Sequence, residues 1–170
     1  AGDGAIYRED FQTWIEVEKL SSPLCGAFRT GHFRGVVTVV HLLFGLFAPH
    51  RAYFGLKDYQ QARLVERMAA DLFADVSVRL VPTQRDGDGL ALSSRNAYLS
   101  LEDRLAALAI PRGLDLARRA FLDGESRPAE LAKLVRRALD EATLLEVEYC
   151  DIVDARTLES LATGTGDQAG

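Results

Sequence analysis

The chain is expected to belong to the α/β class, with a parallel strand pair in its first part and a smaller, helix-rich α+β region after it. Three observations lead there. A short run from Arg51 to Gly55, a helical periodicity over Tyr59 to Phe73 and a second run from Val76 to Val81 form a strand, helix, strand unit of about thirty residues. Two strands joined by such a helical crossover are parallel, with a right-handed connection. The stretch Pro82 to Gly89 alone has linker composition, and helical patterns follow it, so the domain boundary is placed there, giving parts 1–82 and 83–170.

Val36 to Phe47 is an apolar run interrupted by Thr38, His41 and Gly45. It is shorter than the roughly eighteen residues that mark a membrane span, and it reads as a buried helix with Val36, Val40, Leu43 and Phe47 toward the core and His41 as a core or interface residue. In the helix after the first strand, Ala62, Val65, Met68, Ala69 and Leu72 share one face. Tyr98 is expected to pack. Ser100-Leu101-Glu102-Asp103 resembles a capping box, and the helix it opens should bend near Pro111 and end around Gly124. Pro128 suits the first turn of a helix over Ala129 to Ala142, with Leu131, Leu134, Val135, Ala138 and Leu139 as its apolar stripe. Glu146 to Asp154 alternates in polarity and reads as a strand.

Composition excludes several function classes. With 170 residues, 48% of them hydrophobic, the chain can bury the core of one ordinary domain or two small ones. Its net charge of −5 argues against a nucleic-acid partner, and no membrane association or secretory leader is expected. Cys25 and Cys150 lie far apart and lack partners at metal-ligand spacing, which suits free thiols in a reducing, cytoplasmic setting.

Two segments carry the candidate chemistry. In Asp88-Gly89-Leu90-Ala91-Leu92-Ser93-Ser94-Arg95-Asn96, glycine-containing backbone stands beside two hydroxyls and a guanidinium, donors that suit phosphoryl oxygens. The same residues also make a good helix start, because Ser and Asn cap well. On spacing alone both readings stand. The second segment is Tyr53-Phe54-Gly55-Leu56-Lys57-Asp58-Tyr59-Gln60-Gln61. Ligands of parallel sheets gather at the carboxyl ends of the strands. Gly55, Lys57, Asp58 and Gln61 follow the first strand, while Thr83, Arg85 and the Leu92 to Arg95 loop follow the second, so both clusters are expected at one sheet edge. Taken by themselves, Lys57 and Asp58 also read as a solvated pair at a helix start, Gln60 and Gln61 as surface amides, and Asp86 and Asp88 as solvated loop acids instead of a metal pair. Arg29 and His32 flank a glycine and suit either a ligand or a structural role.

The segments FGLKDYQQ and DGLALSSRNAYLS closely resemble the pantoate–β-alanine ligase (pantothenate synthetase) family. Arg29-Thr30-Gly31-His32-Phe33-Arg34-Gly35-Val36, with the apolar run to Phe47, resembles a third block of that family, and Val81-Pro82-Thr83 a fourth. The similarity runs from about Phe11 to about Leu161, and several ordered blocks are far more specific than one motif. The resemblance implies the second half of a Rossmann-like, nucleotidyltransferase-type parallel sheet in 1–82, binding nucleotide and pantoate, and a lid domain in 83–170. It implies condensation of pantoate with β-alanine at the expense of ATP, giving pantothenate, AMP and pyrophosphate through a pantoyl-adenylate.

Roles follow position by position from the same resemblance. Lys57, Ser93, Ser94 and Arg95 are implied to bind the ATP phosphates and act in catalysis, the last three on a loop that closes over the nucleotide. Asp58, with the backbone at Gly55, is implied to hold the ribose hydroxyls, Gln84 and Leu92 to border the adenine, and Gln61 and Phe54 to bind pantoate. An amide such as that of Gln61 can donate to a carboxylate while accepting from a hydroxyl. Mg2+ is expected to arrive on the ATP, with no metal cage of protein ligands, and the full-length family member is expected to be a homodimer. The family's H-x-G-H element does not occur, since His32, His41 and His50 stand in other contexts. The chain is therefore expected to be an inactive piece lacking that half, ending at Thr163 to Gly170 short of the family's last strand. A non-catalytic folded fragment, such as an interaction or dimerisation remnant, is the alternative, and another nucleotidyltransferase-like adenylating protein is a further one.

Overall fold

Parallel strands cannot be joined by a tight turn, so the strand pair of this protein depends on the helix between its strands. The structure is a computed structural model and describes residues 6–162; the closing run Thr163 to Gly170 lies outside them. The chain divides into two compact units, the first ending at Pro82 and the second beginning at Thr83.

In the first unit, two short helical turns, α1 (Glu18–Ser21) and α2 (Cys25–Phe28), precede the long helix α3 (His32–Phe47). Strand β1 (Arg51–Gly55) leads through one 3-10 turn, Leu56–Asp58, into α4 (Tyr59–Asp71), and β2 (Ser77–Val81) returns beside β1. The strands pair in parallel from Arg51 opposite Ser77 to Gly55 opposite Val81. Helix α4 touches α1, α3 and both strands, which is why it buries more than one stripe: Ala62, Leu64 and Val65 are fully buried and Met68 nearly so. The sequence pattern missed Leu64 and included Leu72, which is 45% exposed because α4 ends before it.

The buried face of α3 also differs from expectation. Phe33, Val37 and Thr38 are buried, while Phe47 is 75% exposed. In a helix apolar nearly all round, periodicity does not say which side meets a neighbour. The neighbours decide. The Thr38 hydroxyl accepts the Ile15 N–H at 3.0 Å and donates to the Arg34 carbonyl at 2.6 Å. The Arg34 guanidinium lies 4.8 Å from the Trp14 ring centre, and Trp14 in turn contacts Tyr7 and Phe11. His41 is half-buried. Helix α3 stops at Ala48, which is left-handed (φ 41°) and donates its N–H to the Phe44 carbonyl, with Pro49 next to prevent continuation.

In the second unit, a hairpin over residues 84–92 is followed by a 3-10 turn (Ser94–Tyr98) and the helices α5 (Leu101–Ala107), α6 (Ala109–Leu122) and α7 (Pro128–Asp140). Ser100 and Asp103 form a full capping box at the start of α5. The helix breaks at Leu108, ahead of Pro111, which sits in the first turn of α6 where its missing N–H costs little. Ala109, Ala117, Leu131, Val135 and Leu139 form the core between α6 and α7. Gly113 lets the helices approach: a Cβ there would lie 3.2 Å from both Ala138 Cβ and Val135 Cα.

Glu146 to Asp154 is not a strand. Val147, Cys150 and Ile152 pack on the helical core, but among the described residues the only pairing nearby is an isolated bridge between Val153 and Ser160. Alternation reports one buried face of extended backbone, and a strand also needs a partner ladder. Tyr98 is 88% exposed, so the packing expected of it does not occur.

Two measurements check this core. Leu64→Ala should destabilise by about 2–5 kcal/mol in urea unfolding, whereas Leu72→Ala should stay within about 0.5 kcal/mol. Phe73 follows α4 in a left-handed conformation (φ 53°) and is 94% exposed. Phe73→Gly should therefore stabilise by up to about 1 kcal/mol by relieving the Cβ clash of that backbone region; a lower unfolding midpoint would contradict it.

Candidate functional site

The candidate residues of the first unit come from one short turn. Gly55 ends β1 in extended backbone (φ −74°, ψ 137°), and the 3-10 turn carrying Lys57 and Asp58 follows at once. Because β1 runs parallel to β2, this turn lies at the carboxyl end of the pair and at the amino end of α4. Asp58 makes no capping hydrogen bond into α4, so the first-turn N–H groups keep their partial positive charge. The Lys57 ammonium sits 3.2 Å from Asp58 Oδ1, with the two side chains 40% and 60% exposed. Both groups are thus held in water by one weak, exchangeable pair. Phe54 and Gln61 are half-buried on either side of the turn.

Gln60 behaves unlike the surface amide that its sequence context suggests. It is buried, and its side-chain amide donates to the Leu20 carbonyl at 2.9 Å and the Pro23 carbonyl at 2.8 Å. It ties the segment before α2 to the start of α4. Gln61, one residue on, is half-buried and takes no part in that tie. A helix turn rotates neighbours by about 100 degrees, and which of the two glutamines meets that segment is decided only by packing.

In the second unit, the Pro82 to Gly89 stretch read as linker turns back as a hairpin. Arg85 bridges Ala91, Asp86 donates its N–H to the Leu90 carbonyl at 2.8 Å, and Leu92 donates to the Gln84 carbonyl at 2.9 Å. Gly89 (φ 93°) makes the turn possible, so its role here is to close a fixed hairpin. Leu92 and Gln84, both expected to border an adenine, are therefore brought opposite each other. Thr83 is half-buried just before them.

Ser93 caps the following 3-10 turn, its hydroxyl accepting the Arg95 N–H at 3.3 Å, so the capping role applies to this serine. Asn96 donates from its side chain to the Ala91 carbonyl at 3.1 Å. Ser94 and Arg95 are exposed, and the Arg95 guanidinium has no ion-pair partner among the described residues. Such a cation is available to an incoming anion.

The acids of the hairpin are not simply solvated. Arg104, in α5, donates to Asp86 Oδ2 at 2.7 Å and to Asp88 Oδ2 at 2.8 Å. The Leu90 N–H donated to its other oxygen, together with Arg104, holds the Asp88 carboxyl below the usual carboxylate range. Arg104, its own affinity for the proton raised chiefly by Asp86, was not among the expected site residues. The signal for it was an Asp-x-Asp turn followed by a basic residue one turn into a capped helix. Arg29 and His32 lie at the amino end of α3, exposed.

Comparison with known proteins gives a consistent result. The family model for pantoate-beta-alanine ligase matches residues 3–169. The chain is 49% identical over 154 residues to pantothenate synthetase of Geobacter sulfurreducens, covering 91% of this chain and 54% of that protein. It is 47% identical over 163 residues to pantothenate synthetase of Myxococcus xanthus, covering 96% of this chain and 56% of the relative. The crystal structure of pantothenate synthetase from Thermus thermophilus matches with a TM-score of 0.91 at 46% identity, covering 95% of this chain and 58% of that one. That of pantoate-beta-alanine ligase from Francisella tularensis, complexed with beta-gamma ATP and beta-alanine, matches with a TM-score of 0.62 at 33% identity over 79% of this chain and 50% of that one. The chain thus spans a little over half the length of the curated relatives it matches.

The Asp88 carboxyl supplies a pH test. Its folded-state value is lowered, so it stabilises the hairpin at pH above the ordinary carboxylate range, and that contribution is lost as pH falls through the lowered value. A carbon-13 NMR titration should place its inflection below those of exposed aspartates. In Arg104→Gln it should move up only part of the way, because the Leu90 N–H remains. An inflection at the ordinary range in the parent protein would contradict the assignment.

Proposed function

The chain belongs to the pantoate-beta-alanine ligase family, and from that premise we propose that it supplies pantoate- and ATP-binding residues for an adenylation followed by amide formation. The observation that carries this reading is the turn at the end of β1, where Lys57 and Asp58 stand exposed at the amino end of α4 with Gln61 one turn along. The relative from Francisella tularensis was crystallised with beta-gamma ATP and beta-alanine, which supports extending those ligands to this chain.

The proposed reaction has two steps. The pantoate carboxylate attacks the α-phosphorus of ATP and pyrophosphate leaves, forming a pantoyl-adenylate. The neutral amine of β-alanine then attacks the acyl carbon, AMP leaves with the bonding pair, and the nitrogen gives up a proton to water. Both steps gain from holding the reactants in line and from neutralising charge on the phosphates. In this reading Lys57 leaves Asp58 for the phosphates, and Ser93, Ser94 and Arg95 donate to phosphoryl oxygens. Asp58, freed from Lys57, accepts from the ribose hydroxyls beside the Gly55 backbone. Gln61 and Phe54 receive pantoate, while Gln84 and Leu92 border the adenine. ATP, as substrate, brings its own Mg2+.

Two experiments test the proposal. In the purified chain, Lys57, Asp58, Ser94 and Arg95 meet ATP in water, where exposed ion pairs contribute about 0–1 kcal/mol each. MgATP should therefore bind no tighter than about millimolar, shifting amide NMR signals of Gly55 to Gln61, and Lys57→Ala should remove those shifts. An interaction remnant without a nucleotide site would show none in the parent either. In a polypeptide of the relatives' full length that carries this sequence, Lys57→Ala should lower pantoate-dependent ATP–pyrophosphate exchange by about a hundredfold or more; exchange at the parent rate would remove Lys57 from the mechanism.

A further inference from the structure

The Ser93–Arg95 segment is short, with Ser94 and Arg95 exposed and Ser93 half-buried as the cap of its own turn, yet its ends are held. On one side it leaves the hairpin at Leu92, whose N–H is bound to Gln84. On the other it enters α5 at Ser100, the helix cap. A single side chain spans the two supports: Arg104, one turn into α5, reaches back across 16 residues to Asp88 and 18 to Asp86. An apolar contact runs in parallel, since buried Leu90 from the hairpin clusters with Ala107 and Leu108 at the far end of α5.

From this geometry we propose that Arg104 is a positioning residue for the Ser93–Arg95 segment. Its guanidinium closes the loop that contains the segment, and so sets where the two hydroxyls and the Arg95 cation stand. The proposal rests on the reading of that segment as a phosphate-binding one. Loop closure removes conformational freedom that would otherwise have to be lost when an anion binds. An arginine suits the task because its planar fork serves two carboxylates at once, whereas a lysine presents one compact charge. Arg104 itself is engaged by both aspartates, so it acts through the loop and does not contact the phosphate.

The test separates positioning from mere stability. Amide hydrogen exchange is followed in the full chain for the parent, Arg104→Gln, Arg104→Lys and Asp88→Asn. In Arg104→Gln the amides of residues 92–98 should exchange about tenfold faster while those of α6 and α7 keep their rates. Arg104→Lys should fall between, and Asp88→Asn, which removes one arm only, should reproduce part of the effect if the glutamine variant does not fold. Unchanged exchange in residues 92–98, or an equal rise throughout the second unit, would overturn the proposal. Titration with MgATP by NMR gives the separate functional readout. Arg104→Gln should raise the dissociation constant read at Ser93 to Asn96 about threefold or more. Should Arg95→Gln leave that constant at its parent value while the exchange pattern holds, the phosphate reading fails and the positioning of the segment by Arg104 stands.

Discussion

The burial of α4 is the constraint on which the first unit rests. Two parallel strands of five residues each have no turn of their own to set their register, and the pair would not persist alone. Their alignment comes from a helix that carries apolar side chains toward α3, α1 and the strands together. Ala62, Leu64, Val65 and Met68 are the side chains it buries almost completely there. The same packing decides the site. The turn with Lys57 and Asp58 is the short joint between a strand and a helix that are both fixed, so these side chains stand in a defined place although they are exposed. Gln60 adds a polar anchor to the same helix end through its hydrogen bonds to the backbone of Leu20 and Pro23.

The second unit reaches order by other means. Its helices α6 and α7 lie so close at Gly113 that a Cβ there would meet Ala138 and Val135 at 3.2 Å, tighter than ordinary van der Waals contact, and the irregular chain after α7 covers the pair with Val147, Cys150 and Ile152 without building a sheet. Burial raises the Cys150 thiol above its usual range, consistent with a packing role and not with that of a nucleophile. The hairpin and α5 form a smaller assembly, in which one arginine, two aspartates and one buried leucine hold a segment whose Arg95 guanidinium has no ion-pair partner among the described residues.

Electrostatically, the two kinds of charged residue are distinct. Among the described residues, most ion pairs join residues three or four positions apart on one helix, such as Arg67 with Asp71 and Arg136 with Asp140; they solvate a surface and add little. Lys57 is paired only with its own neighbour and the Arg95 guanidinium with none among the described residues. Groups that the fold does not use are the ones a ligand can recruit, at the cost of weak binding wherever water reaches them.

Whatever depends on near neighbours along the chain could be read from residue order alone. The strand, helix, strand order of the first unit, the capping box at Ser100 and Asp103, Pro128 at the start of α7 and the two motif segments were legible because each follows from local periodicity, capping chemistry or family spacing. Tertiary structure decided which faces are covered. That Phe33 and Val37, and not Phe47, meet the core, that Gln60 turns inward, that 146–154 lies on helices without becoming a strand, and that Asp86 and Asp88 close on Arg104 all depend on residues far away in sequence. Burial and ion pairing are set by which surfaces happen to meet, and a pattern along one segment records how apolar or charged it is without recording what it will touch.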